Sequence, residues 1–118
     1  MKKSEAILAF SQSDKIKAGL ISVAQLLDVI QGLPAGEKKG AERVTGILLT
    51  MTAHEVRLAE NLLPGEDWKG IESLIERAQV MVASGVAQEG MIPLSRALSL
   101  VTNVAQKAMS FLKEEGLL

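Results

Sequence analysis

Three prolines constrain this chain more than any other feature. Pro34, Pro64 and Pro93 are its only prolines in 118 residues, and they stand in Leu33-Pro34-Ala35-Gly36, Leu63-Pro64-Gly65 and Ile92-Pro93. Proline ends or kinks a helix and an adjoining glycine loosens the backbone, so a helical chain turns at such points. Between them the apolar residues recur at steps of three and four, without a sustained alternation of period two. That is the period of helices, not strands. Ile16, Leu20, Val23, Leu27 and Ile30 form one ladder, and Val44, Ile47, Leu48, Met51, Leu58 and Leu62 a second. Ile71, Leu74, Ile75, Ala78, Val82 and Val86 form a third, and Leu94, Leu98, Val101, Ala105, Ala108 and Leu112 a fourth.

The spacing predicts four helices, near residues 13–32, 37–62, 67–88 and 92–115. Ser11 or Ser13 is expected to cap the first and Asp67 the third, and Pro93 suits the first turn of the fourth, where a missing amide hydrogen costs nothing. Loops this short turn consecutive helices back on each other. The expected fold is therefore all-α: a single domain over residues 1–118, an antiparallel up-down-up-down four-helix bundle, with Ser4–Phe10 as a short N-terminal helix or arm.

Composition removes many functions. Hydrophobic residues make up 47% of the chain and charged ones 23%, the ordinary globular mix. Cysteine and tyrosine are absent and histidine occurs once, which excludes thiol catalysis and thiolate metal sites and leaves few groups that titrate near neutrality. Thirteen basic residues against fourteen acidic ones give no field that draws nucleic acid or an anionic membrane. The apolar stretch Ala6–Phe10 is shorter than a secretory segment, and no run approaches the ~18 apolar residues of a membrane span. The expectation is a cytoplasmic protein without cofactor or metal.

Candidate sites are few. Gly32–Gly40 holds Lys38 and Lys39 but lacks the glycine spacing and the Ser/Thr of a phosphate loop. On a helical wheel Glu55 points within about 20° of Val44 and Leu62, at the centre of the second helix's apolar face. A carboxylate there needs a partner. It is either a buried charge paired with Arg77, Arg96 or Lys107 from another helix, or a metal or acid–base group. His54 lies at the border of the same face, where partial burial is expected, while Leu58 falls on the core side. His54 is open to three readings: a boundary histidine, a haem ligand paired with methionine, or a phosphoacceptor.

The third follows from a local resemblance. Ala53-His54-Glu55-Val56-Arg57 resembles the segment around the phosphoacceptor of histidine phosphotransfer domains, which are four-helix bundles with a basic residue three positions after the histidine. The resemblance implies phosphoryl transfer through His54, with Arg57 as the stabilising cation. Leu58 holds the position where that family usually has a glycine.

On the fourth helix Leu100, Val104 and Phe111 widen the apolar arc to about half the circumference, more than the ~100° one core requires. These three are the expected interface residues of a homo-oligomer, and a further protein partner fits the same pattern. The expected function is association, as a homodimer or a subunit of a larger assembly, by a protein that is not an enzyme. Phosphotransfer through His54 and Arg57 is the alternative.

Overall fold

Four helices carry the described residues, 1–117, of a computed structural model. α1 spans Lys3–Gln31, α2 Ala35–Leu62, α3 Trp68–Ala83 and α4 Met91–Glu114. All three prolines fall at boundaries: Pro34 caps α2, Pro64 lies in the loop ahead of α3, and Pro93 occupies the first turn of α4. α1 packs on α2 and α4, and α3 packs on the same two, so the helices close a ring around one core. Along the α2–α3 boundary, Thr50 meets Gln79, Arg57 meets Glu72 and Glu60 meets Lys69, in opposite order on the two helices. The bundle measures 53 × 23 × 18 Å. Among the described residues no helix is long and apolar enough to cross a membrane.

Three ladders point inward as the spacing requires. Ile16, Leu20, Val23, Leu27 and Ile30 are buried, as are Ile71, Ile75, Ala78 and Val82 on α3 and Leu94, Val101, Ala108 and Leu112 on α4. Asp67 caps α3, its Oδ1 accepting from the Gly70 amide at 3.1 Å. Trp68 fixes the preceding loop, with Nε1 donating to the Leu63 carbonyl at 2.9 Å.

Three expectations are corrected. Residues 4–10 are no separate arm but the first turns of α1, because Ala6 and Ala9 extend its inward face and the Lys2 amide donates to Glu5 Oε1. Ser11 and Ser13 therefore sit inside a helix and cap nothing. α3 stops at Ala83, short of residue 88, because Gly85 takes φ +81°. The Val86 amide then reaches back to the Met81 carbonyl and the Gly85 amide to that of Val82, at 3.0 and 3.2 Å. This pair of hydrogen bonds satisfies two of the helix's last carbonyls and ends it.

The third correction is the rotation of α2. The residues it buries are Thr45, Leu49, Thr52, Ala53, Val56 and Ala59, while Val44, Ile47, Met51, Leu58 and Leu62 face outward. Close packing against α1 selects the smaller face. Gly19 of α1 lies so near Thr52 that an added Cβ would stand 2.6 Å from its Oγ1. Threonine is tolerated inside because its hydroxyl returns to its own helix: Thr45 Oγ1 donates to the Ala41 carbonyl at 2.8 Å and Thr52 Oγ1 to that of Leu48 at 2.9 Å.

Candidate functional site

The rotation of α2 leaves an apolar strip on the bundle surface. Val44, Ile47, Met51, Leu58 and Leu62 are 48% to 60% exposed and follow one another at helical spacing. Exposed His54 stands beside that line between Met51 and Leu58. Polar seams frame the strip on both sides. Towards α1, Gln12 Nε2 donates to Glu55 Oε2 at 2.7 Å and to the Glu55 carbonyl at 3.0 Å. Towards α3, Arg57 Nε donates to Glu72 Oε2 at 2.6 Å and Gln79 Nε2 to Thr50 Oγ1 at 2.9 Å. The seams hold α2 to its neighbours, so the apolar line between them has no partner within the described residues.

Glu55 thus has an amide partner where a cation was expected. Arg77 and Arg96 are not its partners, and Lys107 binds Glu66 at 2.9 Å. Glu55 is half-buried at the edge of the strip, because the apolar face that located it on the wheel points outward. Gln12 escaped the sequence reading, which began the first helix near residue 13 with Ser11 or Ser13 as its cap. The signal was present: Ala6, Ala9, Ser13 and Ile16 keep the three–four step through that segment, and Gln12 adjoins it.

His54 is exposed, not half-buried, and Leu58 stands beside it in solvent instead of in the core. His54, Glu55, Arg57, Leu58 and Asn61 line an open hollow of about 370 Å³. Arg57 contributes its charge to this hollow only in part, since Glu72 holds its guanidinium. Among the described residues no three metal-ligating side chains come together. Lys39 lines a groove of about 510 Å³ with Arg43, Glu42 and the end of α3, a wall of mixed charge.

On α4, Val104 is 6% exposed and belongs to the core, and Leu100 and Phe111 are half-buried against it. The wide arc serves the packing of α4 between α1 and α3, so the outward apolar face of this bundle lies on α2. No protein-family model, curated protein or solved structure matches the chain.

Proposed function

We propose that this chain works by association, with no chemistry of its own, and that the outward face of α2 is the surface it presents. One observation carries the proposal: five large apolar side chains, each about half exposed or more, lie in line on one helix between two polar seams. Scattered surface leucines need no explanation, but a continuous apolar strip rimmed by polar groups marks a protein contact. Its helical spacing suits a partner helix laid along it.

Native purification of tagged protein tests this. Wild type retains a partner, a second copy or another protein, and the Ile47→Glu/Met51→Glu variant loses it. Val80→Glu, an exposed apolar position on α3 away from the strip, keeps it. Equal retention by wild type and the double variant, or no retention by either, overturns the proposal.

The exposure of His54 favours a second reading, phosphoryl acceptance, since an incoming phosphoryl group needs an open ring nitrogen. Against it, Arg57 is engaged by Glu72 and Leu58 crowds the adjoining surface. Incubation with acetyl phosphate is expected to leave no acid-labile label. A label on wild type that vanishes in His54→Gln establishes the second reading in place of the first.

A further inference from the structure

α2 is longer than the helix beside it. Thr50–Gln79, Arg57–Glu72 and Glu60–Lys69 keep one antiparallel register along the α2–α3 boundary. In that register Gly46 stands level with Ala83, the last residue of α3. Residues 35–45 of α2 therefore run about 15 Å beyond the end of α3, and α1 is the neighbour left to them. Under this overhang lies the groove of about 510 Å³, between Lys39, Arg43 and Gly46 on α2 and Ala83 and Gly85 where α3 ends.

The overhanging turns are weakly held. From Ala35 to Val44 no side chain is buried, and burial on α2 begins at Thr45. Ala41 is the one side chain in that stretch that packs against the core, and it is half-buried. Among the described residues, the side-chain bonds that tie α2 to α1 and α3 all fall at Thr50 or later. No side chain caps the first turn at Pro34. Gly36 and Gly40 lower the helix propensity further, and an added Cβ at either meets nothing within 4 Å, so packing does not require them. Nor does the core depend on these turns for its cover. The short 3₁₀ helix Ala87–Gly90 packs on α1, α3 and α4 and closes that end of the bundle, with Gly90 set against Leu27.

We infer that residues 35–44 are a strap, a stretch of helix that opens and re-forms by itself over the groove while the bundle from Thr45 onward stays folded. A segment with little buried surface opens at a cost far below that of the whole fold. Opening uncovers the groove and releases Val44. Ile47, Met51, Leu58 and Leu62 lie on the anchored part of α2 and keep their places in both states, so the strap and the proposed association are separable.

Amide hydrogen exchange of the full chain tests this. The amides of residues 40–44, past the unbonded first turn, are expected to be at least ~100-fold less protected than those of residues 53–59 on the same helix. Sub-denaturing urea should lower protection at 53–59 and leave it unchanged at 40–44, because local opening exposes little surface. A smaller difference, or two stretches that respond to urea together, overturns the inference. Proline gives an independent reading. Inside an integral helix it lowers the folding equilibrium by more than ~100-fold. Arg43→Pro, at an exposed position in the strap, is expected to lower protection at 53–59 by less than ~10-fold. A larger loss, or a chain that no longer folds, overturns the inference as well.

Discussion

Ser13 shows how one side chain departs from its surroundings. It is fully buried, and its Oγ has no hydrogen-bond partner. An unpaired buried hydroxyl forfeits its bonds to water and gains nothing in exchange. Ser13→Ala is therefore expected to raise the unfolding free energy by about 1 kcal/mol, read from urea denaturation; an equal loss would mean that the hydroxyl is bonded after all. Its neighbour Gln12 is the opposite case, since both acceptors it reaches belong to Glu55. The sequence reading required a partner for Glu55 and looked among cations. Which side chain met it depended on the rotation of α2 and on the register between α1 and α2, and neither is encoded in the spacing of a single helix.

For the elements, legibility followed the sizes of the buried residues. On α1, α3 and α4 the large aliphatic ladders are the core, so the wheel and the structure agree. The ends of the helices were legible at Asp67 and the prolines, but the stop at Gly85 was missed because its positive φ leaves no trace in an apolar ladder that continues to Val86. On α2 most of the larger apolar residues lie outside, and apart from Leu49 and Val56 the buried side chains are threonine and alanine, so a wheel weighted by hydrophobicity chooses the wrong face. Gly19 is the cause that can be tested. Helix propensity alone makes glycine about 1 kcal/mol worse than alanine, yet Gly19→Ala is expected to cost about 1–3 kcal/mol through overpacking on Thr52. Thr52→Ala in the same chain should restore much of that loss, a coupling that a double-mutant cycle reads. Gly46, where an added Cβ meets nothing within 4 Å, should gain about 0.5–1 kcal/mol on replacement by alanine. Thermal melts that rank the two alanine variants the other way would remove close α1–α2 packing as the reason for the rotation.

At the scale of the whole molecule, the choice of face on α2 decides what the bundle can do. With the large residues inward, as the sequence reading had it, α4 would carry the outward arc and His54 would sit beside the core. With the small residues inward, α4 is absorbed between its neighbours and α2 carries five exposed apolar side chains beside an open histidine. The proposed association descends from that rotation. The most direct measurement is the denaturation of Ile47→Glu and Leu49→Glu, two residues apart on one helix, at chain concentrations too low for association. Leu49 is fully buried, so a carboxylate there is expected to cost several kcal/mol or to abolish folding. A carboxylate at exposed Ile47 should leave stability within about 1 kcal/mol of wild type. A folded Leu49→Glu beside an unfolded Ile47→Glu would contradict the account, and would return α2 to the rotation that its larger residues suggest.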